Sequence, residues 1–227
     1  MDESASIAAA RGGDREAFNR LVVHYQDLAY NVAYRILGDP DGAADATQDA
    51  FISAYQALSG FRGGSFRSWL LRIVTNACYD VLRAHKRHPT VSLDADPELD
   101  WEEWTEGEEE PPEDYAERQD LGNVIQRGLQ ELPDDQRVVI VLSDVHGMAY
   151  KEIARTLGIS LGTVKSRLSR GREKMREFLQ SNAELLPVRY RLYSEGGGAA
   201  GLMSLFAEWL VDGLLARRLR RGASRYG

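Results

Sequence analysis

The sequence predicts an all-α protein: two small helical domains joined by an acidic flexible linker, followed by a C-terminal amphipathic helix. Three observations carry that expectation. Apolar residues recur at three- and four-residue spacing from residue 14 to residue 82, with no strand-like alternation between them. Residues 94–120 hold 14 acids against one base, a run that like charges extend and that buries too little apolar surface to offset its ordering entropy. Residues 150–179 read YKEIARTLGISLGTVKSRLSRGREKMREFL, two helical patterns joined by a tight turn. With 227 residues, 43% of them hydrophobic, the chain has material for two small cores.

The first domain is expected over residues 1–93. Asp14 caps a helix whose inward positions are Phe18, Leu21, Val22, Tyr25, Leu28, Ala29, Val32, Ile36 and Leu37, and Gly38 ends it. Asp39 then caps and Pro40 opens a second helix through Ala43, Ala46, Ala50, Phe51, Ala54, Tyr55 and Leu58, with Asp45, Gln48 and Asp49 on its other face. Residues 60–64 form a glycine-bounded loop. A third helix follows along Phe66, Trp69, Leu70, Ile73, Val74, Ala77, Val81 and Leu82. On or beside it, Arg62, Arg67, Arg72, Arg83, Lys86 and Arg87 interleave with Phe61, Phe66, Trp69 and Tyr79, and Asn76 sits mid-helix. Cations along a phosphate backbone beside rings that stack on unpaired bases are what single-stranded DNA asks for. Phe66 and Trp69 fall on the apolar stripe and belong to the core on that ground. Phe61, in its loop, is expected to be freer to meet a base.

The linker, residues 94–120, carries Trp101, Trp104 and Tyr115 among its acids, an unusual set for a passive tether. A polyanion with aromatics suits a basic channel built for nucleic acid. The second domain is expected over residues 121–186. Leu121, Val124, Ile125, Leu129 and Leu132 face inward on its first helix, Pro133 and Asp134 turn the chain, and Val138, Val139, Val141 and Leu142 lead to a break at His146 and Gly147. Ile153, Ala154 and Leu157 mark a short helix stopped at Gly158, and Ser160 caps a longer one along Leu161, Val164, Leu168, Met175 and Phe178. The outer faces of the longer helix offer Thr163, Lys165, Ser166, Arg167, Ser169, Arg170, Arg172, Lys174 and Arg176, with no acid before Glu173. Two helices joined so, the second basic on its free side, read as a helix-turn-helix entering the DNA major groove.

Charge supports this division. The net charge of −7 looks wrong for a DNA binder until it is apportioned: the four segments 1–93, 94–120, 121–186 and 187–227 carry 0, −13, +2 and +4. All the acidity lies in the linker. One cysteine, Cys78, excludes an intramolecular disulfide. His24, His85, His88 and His146 share no metal-ligand spacing, so no metal and no cofactor are expected. There is no nucleophile elbow, phosphate loop or dinucleotide fingerprint, and an enzyme is not expected. The N-terminal stretch has acids where a secretory leader needs bases, and a cytoplasmic location is expected.

The motifs DATQDAF, FRSWLLRIVTNACYDVLR and LQELPDDQRVVIVLSDVHGMAYKEIARTLGISLGTVKSRLSRGREKMRE occur in that order. Over residues 14 to 180 the chain resembles the extracytoplasmic function (ECF) group of the sigma-70 family of RNA polymerase sigma factors. The resemblance implies a first domain (region 2) that docks on the β′ clamp helices of core polymerase and reads and melts the minus-10 element. It implies a second (region 4) that binds the β-flap and reads the minus-35 element of promoter DNA. Asp45, Gln48, Asp49 and Phe51 match the polymerase-contacting helix, although many relatives have glutamate where Asp49 stands. Phe61, Arg62, Phe66, Arg67, Trp69, Arg72, Asn76 and Asp80 match the minus-10 segment, and Thr163, Lys165, Ser166, Arg167, Ser169 and Arg170 the minus-35 helix. The acidic linker resembles the segment that passes through the polymerase cleft in place of RNA.

The C-terminal extension, residues 187–227, departs from the family pattern. Leu202, Leu205, Phe206, Trp209, Leu210, Leu214 and Leu215 make an apolar stripe that ends in four arginines. Such a helix suits intramolecular docking, a protein partner or an anionic membrane surface, and it is read as a control on access beside or in place of a separate anti-sigma factor. A rival reading of the whole chain is a stand-alone helix-turn-helix regulator of duplex DNA, with the first domain as a sensor or dimerisation module. The DATQDAF helix and the aromatic-basic third helix favour the sigma factor, because a repressor needs neither.

Overall fold

The computed structural model describes residues 1–87 and 112–187. Among them, eight α-helices and no strands are found: α1 Glu3–Arg11, α2 Arg15–Leu37, α3 Pro40–Ala57, α4 Phe66–Arg87, α5 Pro112–Gln130, α6 Asp134–Ile140, α7 Tyr150–Leu157 and α8 Leu161–Ser181. They group into two units, one of Met1–Val91 with Val141–Lys165, the other of Ser92–Ile140 with Ser166–Gly227. The expectations for residues 94–111 and for the helix over 202–221 lie outside the described residues.

In the first unit α2, α3 and α4 pack on one another. The expected punctuation is in place. Asp14 accepts from the Ala17 amide at 3.1 Å, Gly38 closes α2 in the left-handed conformation at φ 79°, and Asp39 accepts from the Gly42 amide at 2.7 Å with Pro40 in the first turn. Each satisfies an orphan amide or relieves the strain of a left-handed end. The inward stripe of α3 is entirely small: Ala43, Ala46, Ala50 and Ala54 are buried, which lets α2 and α4 close on it with Leu21, Val32, Ile36, Phe66, Leu70, Leu71 and Val74. Helix α1 was not anticipated. Asp2 caps it through the Ala5 amide, and Glu3 accepts from the Tyr25 hydroxyl at 2.9 Å. Its buried residues are Ser6 and Ala10, too small to stand out as an apolar stripe.

In the second unit α5 starts at Pro112, nine residues before the expected Leu121. The acidic connection is therefore shorter than residues 94–120. Proline is preorganised for a first helical turn, so a helix can begin at Pro112 inside the acidic stretch. Of the expected inward residues of α5 and α6, Leu121, Val124, Ile125, Leu129, Val138 and Val139 are buried, and Ile140 is buried with them. Buried Arg137 ties the turn between them: its guanidinium donates to the carbonyls of Leu129 at 2.8 Å, Leu132 at 3.0 Å and Gln130 at 3.2 Å. Helix α8 lies close against α5 and α6. A Cβ on Gly128 would stand 2.7 Å from Met175 Sδ, and one on Gly171 would stand 2.9 Å from Ile140 Cγ1.

Replacing Arg137 by alanine leaves the end carbonyls of α5 without their donor, and the expected loss of stability is about 3 kcal/mol. Urea unfolding followed by circular dichroism measures it; a change below about 0.5 kcal/mol would show that solvent satisfies those carbonyls equally well.

Candidate nucleic-acid interface

The chain reaches its helix-turn-helix through an unusual turn. Beyond α6 it widens into a π-helical turn, Val141–Val145, in which the His146 amide reaches back to the Val141 carbonyl at 3.0 Å. Gly147, at φ 64°, ends it where a side chain would be strained. Helix α7 begins with the Ala149 amide donating to Glu152 at 3.3 Å, one half of a capping box, and stops at Gly158 with φ 64°. Ser160 caps α8, its Oγ accepting from the Thr163 amide at 3.0 Å.

On α8 the apolar side is Val164, Leu168, Met175 and Leu179, and the exposed side presents Lys165, Ser166, Ser169 and Arg170. These four lie within about 140° of arc, on one face. Two of the six expected minus-35 residues stand apart from them. The Thr163 hydroxyl lies 2.8 Å from that of Ser160 and belongs to the cap. Arg167 turns to the flank facing α6, where its Nε is 3.0 Å from Asp135 Oδ2 and its side chain is 25% exposed.

A second polar face runs along α4. Arg72, Asn76, Asp80 and Arg83 are exposed on successive turns, with Asp80 and Arg83 paired at 2.8 Å in full view of solvent, a contact worth little to stability. Arg62 is exposed in the preceding loop. Arg67 is half-buried, and its guanidinium donates to the His146 carbonyl at 2.7 Å within the first unit. Next to it Ser68 donates to Glu152 of α7 at 3.1 Å.

Phe61 corrects an expectation. It is 5% exposed, against 1% for Phe66, and its ring lies edge-on to Phe66 at 5.7 Å and tilted to Trp69 at 5.3 Å. Tyr25 joins the cluster, 5.4 Å from Phe66. The cause is the loop itself: Gly63 and Gly64, both at φ 91°, fold it back so that Phe61 enters the core. Trp69, half-buried at the edge of this cluster, is the ring nearest to solvent. Buried Cys78 also lies on the core side of α4, and burial pushes its thiol up to about 12.

The third face is on α3, where Asp45, Gln48 and Asp49 are exposed together and Phe51 is half-buried. Ile52, 50% exposed, stands between Gln48, Asp49 and Gln56. It escaped the sequence reading, although its spacing of three and four residues from Asp49 and Gln48 places it on their face.

Residues 21–88 match the model of sigma-70 region 2, and residues 123–175 that of sigma-70 region 4. The ECF sigma factor SigE of Mycolicibacterium smegmatis is 36% identical over 174 residues, which are 75% of this chain and 66% of that protein. The ECF sigma factor SigW of Bacillus subtilis is 38% identical over 184 residues, 77% of this chain and 95% of that one. The chain belongs to the ECF group of the sigma-70 family. CnrH, solved in complex with the cytosolic domain of CnrY, matches 80% of this sigma factor and 99% of its own chain, with a TM-score of 0.58 at 26% identity. Helix α1 precedes the region 2 match, and the three polar faces on α3, α4 and α8 lie within the two matched segments.

Phe61→Ala should cost this sigma factor about 3 kcal/mol of stability through the cavity it leaves, read as a fall in melting temperature, whereas Arg72→Ala should stay within about 0.5 kcal/mol. Cys78 should resist thiol reagents at pH 8 in the folded chain and react once urea unfolds it. Because its folded pKa is raised from 9.0 to about 12, its contribution to stability is full below about pH 9 and is lost as the pH climbs towards 12.

Proposed function

We propose that this chain is a promoter-specificity subunit, without catalysis of its own, that binds core RNA polymerase in the cytoplasm and lends it the reading of minus-10 and minus-35 promoter elements. The observation that carries the proposal is the succession of a region 2 and a region 4 segment, each with a polar face exposed on the helix that would use it. Asp45, Gln48 and Asp49 on α3 dock on the β′ clamp helices, with Ile52 as an apolar contact among them. Arg62, Arg72, Asn76 and Asp80 meet the minus-10 strand beside Trp69, while Phe61 and Phe66 shape the loop from beneath. Extruding a base from the stack costs a few kcal/mol, which contacts from these groups would offset. Lys165, Ser166, Ser169 and Arg170 read the minus-35 major groove. Residues 1–93 and 121–186 are the two functional domains in this reading, 121–186 also docks on the β-flap, and residues 187–227 govern access. CnrH was captured with CnrY, and a Bartonella quintana RpoE with its anti-sigma factor NepR, which supports regulation by a protein partner here as well.

Purified protein should bind bacterial core polymerase and yield promoter-specific run-off transcripts from a promoter pool. Duplex binding without polymerase binding would point instead to a stand-alone regulator. Asn76→Ala should slow open-complex formation and leave closed-complex binding intact, as permanganate footprinting and gel shift report; equal loss in both assays would remove Asn76 from the melting step. Arg170→Ala should lower discrimination at one minus-35 base by about 1–3 kcal/mol, measured by competition between single-base variants.

A further inference from the structure

The geometry points to Arg167 as a positioning residue: its ion pair with Asp135 sets the roll of α8, and through that roll the register of Lys165, Ser166, Ser169 and Arg170 on a DNA base edge. The inference rests on the reading of α8 as the minus-35 helix. Arg167 and Gly171 are one helical turn apart and both face α6, Arg167 through Asp135 at 3.0 Å and Gly171 through Ile140, which a Cβ would meet at 2.9 Å. One contact brings the helix axes together and the other fixes the angle. The contact at Gly171 is apolar and non-directional, whereas a guanidinium held at a carboxylate is directional. A roll of about 20° would carry a side-chain tip about 5–6 Å from the helix axis through about 2 Å, more than a bidentate contact to a base tolerates. Asp135 stands in the first turn of α6, beside Asp134, whose carboxylate is 3.5 Å from the Arg137 guanidinium that binds the end of α5. The first turn of α6 thus carries two carboxylates with different partners, Asp134 towards Arg137 and Asp135 towards Arg167.

The test uses the full-length chain with bacterial core polymerase. The probe is a duplex selected from a randomised pool by the wild-type holoenzyme, and its control is the same duplex with the minus-35 bases scrambled. Asp135→Asn, isosteric and placed away from the reading face, should lower the ratio of selected to scrambled affinity about fivefold or more. Scrambled affinity, salt slope and melting temperature should stay nearly unchanged. Arg167→Lys, which keeps the charge and most of the reach, should retain more of the ratio than Arg167→Gln. An unchanged or higher ratio in Asp135→Asn, together with a salt slope reduced by about one in Arg167→Gln, would make Arg167 a phosphate contact and overturn the inference alone. A wild-type holoenzyme that selects no sequence would overturn the minus-35 reading and the inference with it.

Discussion

Close approach of helices through small residues is the constraint on which both units depend. In the first, α3 turns four alanines inward, and α2 and α4 fill the space above them with aromatic and branched side chains. In the second, Gly128 on α5 and Gly171 on α8 stand where even a methyl group would collide with Met175, Phe178 or Ile140. A helix seated by its small residues keeps its long side chains on the other side. The polar face of α3 follows from this packing, because a helix that buries alanine has its carboxylates and amides left for solvent or a partner.

Two of the buried polar side chains among the described residues have a structural task. Arg137 supplies donors to the carbonyl end of α5, which would otherwise be buried unsatisfied. Thr75, fully buried on α4, donates to the Leu71 carbonyl at 2.7 Å and so stays within its own helix. The ionisable groups that would serve recognition, by contrast, lie at the surface in short stripes. Tyr25 lies between these cases. Burial, then its hydrogen bond to Glu3, raises its pKa, so it remains a neutral donor that fastens α1 to the aromatic cluster beneath the α3–α4 loop.

Much of this was legible in the chain alone. Asp14, Asp39 and Ser160 cap the helices they were expected to cap, and Gly38 and Gly158 end the helices they were expected to end, because capping is a local matter of one side chain and three or four amides. The outward set on α3 was readable for the same reason, from the 3.6-residue period. Other features were not readable. The start of α5 was hidden by a charge run whose composition is that of a disordered segment, and α1 by the smallness of its inward side chains. Ile52 was passed over because a single exposed isoleucine among polar residues has no period of its own.

The sequence by itself determined most of the helices and their stops, the greater part of the inward stripes and the family, which depend on neighbours within a turn or on the order of motifs. Tertiary structure alone decided which cations are presented and which are held. Arg167 and Arg170 are alike in type and three residues apart, yet one faces Asp135 and the other solvent, because only the placement of α6 distinguishes their two flanks. Arg67 and Arg72 are divided in the same way by the His146 carbonyl. Phe61, in a loop that looks open, is drawn into the core because burying its ring removes apolar surface from water, and two left-handed glycines let the backbone turn far enough to do so.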